Sequence, residues 1–280
     1  GLSESTSKRW CDRGVLPFIR TPGGHRRIPL NDAVEVLKRN NVEILHPDLL
    51  GLPSFSGKGH RTISIAIDEL VQALENTERE RCRAVITELR WLGLSLGDIG
   101  DRVIRPAFER IGKDWECGRL EVYRERAACG LLVEVLAELA EVLPPEDPKQ
   151  PLAVGATLSH DHYVLASQLV QMVLRERGWR ARFLGSHLPV DTLVRAIAEL
   201  QPRLFWLSIS HVASSPQLIE SCRLLFEAAR ARDALFVVGG RAVDEALRRH
   251  LSYSAYCQDL CHLAMLLDTL PLSVGPQAGD

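Results

Sequence analysis

The feature that most constrains this chain is the change of pattern at Pro144-Pro145-Glu146-Asp147-Pro148. Between residues 63 and 143 the apolar positions recur at helical spacing. Ile67, Leu70, Val71 and Leu74 share one face, and Cys82, Val85, Ile86, Leu89 and Leu92 a second. Ile99, Val103, Ile104, Phe108 and Ile111 mark a third helix, and 120–143 a long fourth interrupted only by Gly130. Four such helices joined by short turns predict a four-helix bundle over 63–146. Past the prolines, which neither a helix interior nor a central strand tolerates, the pattern becomes an alternation. Strand-like runs at 152–158, 181–184, 204–209, 235–238 and, weakly, 253–257 are separated by helical stretches at 162–176, 190–200, 215–231, 241–250 and 259–268. That alternation predicts a doubly wound parallel sheet of the flavodoxin-like kind over 151–272, with ligand space at the carboxyl ends of its strands.

The amino-terminal stretch has a different character. Thr6-Ser7-Lys8-Arg9-Trp10-Cys11-Asp12-Arg13-Gly14 reads as a short basic helix capped by Ser3 or Ser5 and closed at the glycine. An apolar link leads to Arg20-Thr21-Pro22-Gly23-Gly24-His25-Arg26-Arg27-Ile28, a two-glycine turn flanked by arginines, with strands at 18–20 and 25–28. Asn31 then caps a second helix at 32–39. Residues 1–42 therefore predict a partial winged helix-turn-helix. Lys8, Arg9 and Arg13 would meet phosphates or base edges from the helix, while Arg20, His25, Arg26 and Arg27 engage double-stranded DNA through the wing. Charge distribution agrees. Through residue 40 eight basic residues face four acidic ones, a local net charge of +4 in a chain whose total is −2. Residues 43–62, rich in Pro, Gly and Ser, read as a linker, and 273–280 as a tail.

Other function classes recede. Seven cysteines, odd in number and without zinc spacing, read as reduced thiols of a cytoplasmic protein. Neither a signal peptide nor an apolar run of spanning length is present in the sequence, so a membrane segment is not expected. Ser-His-Asp, zinc and P-loop spacings are missing, so the chain reads as a non-enzyme. Position 1 is Gly, and the sequence reads as a fragment or a trimmed chain.

The order of basic winged head, helical bundle and five-unit α/β domain resembles the MerR-type repressors with a cobalamin-binding sensor, the CarH/LitR photoreceptor family, over essentially the whole chain. Relative to that family the head lacks its first helix. In the family a Trp is followed, after nine residues, by Glu-His over the upper face of the corrin. Here Trp115 is followed after nine residues by Glu125, and then by Arg126. The family's loop Glu/Asp-x-His-x-x-Gly corresponds to Asp161-His162-Tyr163-Val164-Leu165-Ala166, so Tyr163 stands at the axial histidine position and Ala166 at the glycine. Ser208-Ile209-Ser210 and Gly239-Gly240 match later landmarks.

The resemblance implies a transcriptional repressor whose bundle and sheet clamp a tetrapyrrole, with adenosylcobalamin, bound base-on or through His162, the default ligand and light a candidate signal. Dimer or tetramer state would then set DNA affinity. A phenol is a poor cobalt ligand at neutral pH, so the motif is degenerate. A one-residue shift of the loop would bring His162 to the metal instead. Haem or a bilin in the same slot, or no cofactor and an antirepressor protein as the switch, remain alternatives. A corrinoid methyltransferase subunit fits least, because it needs the axial histidine and has no use for a winged head. His187 and His211 are further candidates for the cavity wall.

Overall fold

The computed structural model describes residues 4–20, 23, 25–28, 33, 36 and 63–270. They fall in two compact units, Gly1–His60 and Arg61–Asp280. In the first unit, helix α1 (Glu4–Asp12) is followed by a two-stranded antiparallel hairpin of β1 (Ile19–Arg20) and β2 (Arg26–Arg27), with Ile19 opposite Arg27 and Arg20 opposite Arg26. Buried Cys11, Leu16 and Val36 form a small core, with Trp10, Phe18, Ile28 and Ala33 packed on it. Ser5 lies inside α1 and so is not its cap. The alternative cap Ser3 lies outside the described residues, as do Gly24, Asn31, most of 32–39, the 43–62 linker and the 273–280 tail.

The second unit opens with the predicted bundle. Its helices are α2 (Ile63–Glu75), α3 (Arg79–Trp91), α4 (Leu96–Ile99), α5 (Arg105–Glu116) and α6 (Val122–Glu141), with a π-helical turn over Gly100–Ile104 joining α4 to α5. The third predicted helix is thus one rod with a widened turn. Pro106 in the first turn of α5 has no N–H to give to the preceding turn, which favours that widening. Leu92, expected on the buried face of α3, is 52 % exposed because the helix ends at Trp91. Gly130 lies within α6 without breaking it.

Five parallel strands follow, β3 (Leu152–Ala156), β4 (Arg180–Phe183), β5 (Leu204–Ser208), β6 (Leu235–Gly239) and β7 (Ala255–Cys257), in the spatial order β4-β3-β5-β6-β7. Their helices are α7 (Leu165–Glu176), α8 (Val190–Leu200), α9 (Ser215–Arg230), α10 (Glu245–Arg248) and α11 (Leu260–Thr269). The stretch expected at 241–250 contracts to one turn, started by the Asp244 side chain capping Leu247 N–H. The one expected at 162–176 starts only at Leu165.

Strand alternation sorts the core into two layers. On β5, Phe205 and Leu207 pack with Leu193, Ile197 and Leu225 on the side of α8 and α9. Leu204 and Trp206 pack with Met172, Val173, Leu263 and Leu267 on the side of α7 and α11. The register puts Trp206 opposite Gly155. A Cβ at Gly155 would lie 2.0–2.4 Å from the indole carbons, so the ring covers the bare glycine. Only glycine fits there.

Candidate functional site

A cavity of about 410 Å³ opens between the bundle and the carboxyl ends of β5, β6 and β7. Ile104, Phe108 and Trp115 wall it from the π turn and α5, and Glu125, Arg126 and Cys129 from α6. Trp206, Ser208, Gly239 and Gly240 contribute from the strand ends, Ala166 and Leu169 from α7, and Leu260 and Leu263 from α11. A crevice at strand ends is where doubly wound sheets hold their ligands. The bundle adds a roof.

Asp101 fixes one corner. From the π turn its carboxylate accepts the backbone N–H of Leu260 at 3.1 Å and of Cys261 at 2.8 Å, tying the bundle to the first turn of α11. Gly240 fixes another. Its φ is +122°, and a Cβ there would sit 2.2 Å from the Ile209 carbonyl oxygen, so the chain turns tightly under the cavity floor.

Tyr163 is in the wall, with the Arg126 guanidinium carbon 5.1 Å and that of Arg241 4.9 Å from its ring centroid. Both cations are within stacking range of the negative ring face. Arg126 also pairs with Glu125, and Arg241 Nε donates to the Ser210 carbonyl at 3.4 Å. Cys129 lies one turn beyond Glu125 in α6. Burial, reinforced by the Glu125 charge, pushes its thiol up to about 12.

Of the residues singled out in the sequence, Trp115, Glu125, Arg126, Tyr163, Ser208, Ser210, Gly239 and Gly240 converge on this cavity. Asp161 and His162 do not line it. The His162 ring instead stacks on His187 at 4.4 Å between centroids, and His187 Nδ1 accepts the His160 backbone N–H at 2.6 Å. His162 is exposed, and the described residues contain no cluster of three metal-ligating side chains. In this structure His162 stays outside the lining of that cavity. Asp161 is buried, and with His211 it borders a second cavity of about 550 Å³ between the 158–161 loop and the start of α9.

Trp206, Cys129 and Arg241 were missed by motif matching. The small residue opposite Trp206, Gly155, and the position of Arg241 directly after Gly239-Gly240 were the available signals.

In the amino-terminal unit, Lys8, Arg9, Arg13, Arg20, His25 and Arg27 are exposed. Arg26 differs. Its guanidinium pairs with Asp12 at 2.5 Å, donates to the Lys8 carbonyl at 3.4 Å and lies 5.3 Å from the Phe18 ring centroid. It fastens the hairpin to α1.

Bundle, parallel sheet and roofed cavity define a class: a two-part cobalamin-binding module, helical cap over a Rossmann-like domain. Comparison with known proteins agrees. Residues 151–261 match a family model described as a B12 binding domain, and 66–140 match a second model with the same description. The chain is 27% identical over 271 residues to the HTH-type transcriptional repressor CarA of Myxococcus xanthus, covering 91% of this chain and 88% of that one. The monomethylamine corrinoid protein of Methanosarcina barkeri superposes with a TM-score of 0.61 at 16% identity, over 75% of this chain and 100% of that one, which shows the shared fold. The second unit thus matches B12 binding domains in both its helical and its α/β part, and the chain is similar over most of its length to a transcriptional repressor.

Proposed function

We propose that this protein is a cobalamin-responsive transcriptional repressor and not an enzyme. The observation that carries the reading is the presence, in one chain, of an arginine-flanked hairpin and a cavity roofed by a bundle over strand ends. The related CarA is a repressor by name, and its similarity spans both parts. Lys8, Arg9 and Arg13 on α1, with Arg20, His25 and Arg27 on the hairpin, are the residues that would meet DNA. Arg26 would hold the wing in place. The described residues include no helix long and apolar enough to cross a membrane, and cytoplasmic action follows from the repressor reading.

The cavity residues fit a corrinoid in one respect and depart from the family in another. Trp206, a wall residue, carries a buried indole N–H with no hydrogen-bond partner among the described residues, which suits a ligand acceptor. Among the described residues, no histidine is in that wall. A corrinoid would therefore be held by Trp115, Tyr163, Ser208, Ser210 and the backbone at Gly239 and Gly240, without an imidazole ligand. When bound it would supply a flat, metal-centred body between the roof and the strand ends. Trp115, 47 % exposed, would shed water against it, and Arg126 and Arg241 would reorient from Tyr163 toward its polar rim. A changed packing of α5 and α6 is the signal that would alter self-association and hence DNA affinity.

The test is an absorption spectrum of the protein incubated with adenosylcobalamin in the dark and repeated after green light, alongside DNA retardation in both states. A retained corrin spectrum with light-dependent retardation is expected. A folded protein that retains no corrin would overturn the cobalamin reading. One observation favours a second reading in that event: the stack of Arg126, Tyr163 and Arg241 already fills the loop side of the cavity. The switch would then be an antirepressor protein, or haem or biliverdin as the next ligands to add.

A further inference from the structure

Two cations meet one phenol on the loop side of the cavity, and they come from different parts of the module. Arg126 belongs to α6 in the roof, and Arg241 to the loop that follows β6 in the sheet. Their guanidinium carbons lie 5.1 Å and 4.9 Å from the Tyr163 ring centroid, so they stand at most about 10 Å apart, one Debye length at ordinary salt. Like charges at that range repel. Arg126 meets one carboxylate, its Nε lying 3.4 Å from Glu125. Arg241 has no carboxylate partner among the described residues, its Nε donating to the Ser210 carbonyl at 3.4 Å. No terminal nitrogen of either arginine is hydrogen-bonded to a described residue, and neither is the Tyr163 hydroxyl.

Strong donors are thus left idle beside a weak contact. A guanidinium over an exposed aromatic face gains little, whereas its N–H groups on a phosphate or carboxylate make short, charge-assisted and often bidentate bonds. An oxyanion between the two arginines would also cancel their repulsion. We propose that Arg126, Tyr163 and Arg241 form an oxyanion-binding site for a phosphate-class dianion that bridges α6 to the loop after β6, with the Tyr163 hydroxyl as a further donor. The stack on the phenol ring is the resting arrangement that the anion displaces. Glu125 does not block the site, because it faces the Nε of Arg126 and leaves the terminal nitrogens to the ligand. Since the bridge ties the roof to the sheet, the anion is a second input to the packing of α6. The chemistry is the same whether the dianion is an ion in solution or the end group of a molecule whose apolar body lies against Phe108 and Trp115.

The full chain is labelled with 3-fluorotyrosine and titrated with inorganic phosphate, and separately with phenyl phosphate, at constant ionic strength and with no corrinoid added. The four tyrosines, Tyr123, Tyr163, Tyr253 and Tyr256, all lie outside the arginine-rich head, so phosphate bound there is silent. Fluorine NMR should show the Tyr163 resonance, assigned by its loss in Tyr163→Phe, moving to saturation with a millimolar midpoint while Tyr253 and Tyr256 stay. Arg126→Gln and Arg241→Gln should each raise that midpoint by roughly ten-fold. Both side chains are exposed, so the variants are expected to fold. Should one fail to fold, its lysine counterpart, which keeps the charge and loses the fork, carries the comparison.

A shift with inorganic phosphate identifies the ion itself as the ligand, and a shift with phenyl phosphate alone identifies an end group on a molecule in the cavity. No shift with either, or a shift that either arginine variant leaves undiminished, would overturn the site. The corrinoid reading is decided separately, by retention of a corrin spectrum, and stands or falls without this result.

Discussion

The Asp161 carboxylate accepts the backbone N–H of Ser210 at 2.6 Å, joining the loop after β3 to the loop after β5. The same oxygen takes His211 N–H at 3.2 Å, and the other takes Tyr163 N–H at 3.1 Å. Asp161 is 3 % exposed, so these bonds lie out of water's reach. The acidic residue of the loop thus positions Tyr163 and Ser210 against the cavity, and does not orient a metal-bound imidazole.

Asp161→Asn tests that arrangement. An amide turns one acceptor oxygen into a donor facing backbone N–H groups, at a cost of about 1–3 kcal/mol. For a unit of this size each kcal/mol lowers the melting temperature by roughly 2–4 °C. Thermal denaturation followed by circular dichroism should show that drop, and a melt superimposable on the wild type would refute the bracing role.

Arg26 and Arg27 are adjacent in sequence and opposite in expected effect. Arg27→Ala removes an exposed charge from the hairpin and should reduce the magnitude of the salt slope of DNA binding by about 1, with stability unchanged. Arg26→Ala removes the contacts to Asp12 and Phe18. It should lower the stability of the head by roughly 0.5–1 kcal/mol, since Arg26 is half-buried and Asp12 exposed. Retardation assays across a salt series, with denaturation of each variant, separate the two. Equal salt slopes for the wild type and Arg27→Ala would remove Arg27 from the DNA contact set.

Much of the fold was legible because each segment's period matches its environment. The bundle and the alternating half show their spacing plainly, and Pro144 to Pro148 marks the join. The π turn was not legible, since its residues keep a helical pattern while Pro106 disturbs only the backbone ladder. In the site, Tyr163 was found from its place in a loop motif. Its partner Arg241 is 78 positions away in sequence and meets it only through the sheet order. Trp206 reads as an ordinary core aromatic until its nitrogen is seen to have no partner among the described residues.

Cys129 and Cys222 each have thiols pushed up to about 12, Cys129 by burial and then Glu125, Cys222 by burial alone. A folded-state value above the ordinary 9.0 means the neutral thiol is the form the fold favours. The stability this contributes is fully present below about pH 9 and is lost as pH rises toward 12. Denaturant midpoints should therefore hold between pH 7 and 8.5 and fall above roughly pH 9.5. Glu125→Gln removes the second cause at Cys129 alone, so alkylation of that thiol at pH 10 should quicken severalfold. Mass spectrometry of iodoacetamide-treated protein reads this directly. Unchanged labelling of Cys129 would mean that Glu125 does not govern it.

Tyr163→His returns an imidazole to a wall that has none. The backbone there is already fixed by Asp161, whose carboxylate holds the Tyr163 N–H whatever the side chain. The smaller ring would also free Arg126 and Arg241 from their stack. Imidazole is a far better ligand for a transition metal than a protonated phenol. With the cob(II) form of cobinamide bound, which has no base of its own, the variant should show nitrogen splitting in its paramagnetic resonance spectrum, absent from the wild type, and about ten-fold tighter binding, worth about 1.4 kcal/mol. A spectrum without nitrogen splitting, in a variant that still binds the corrinoid, would place the metal away from position 163.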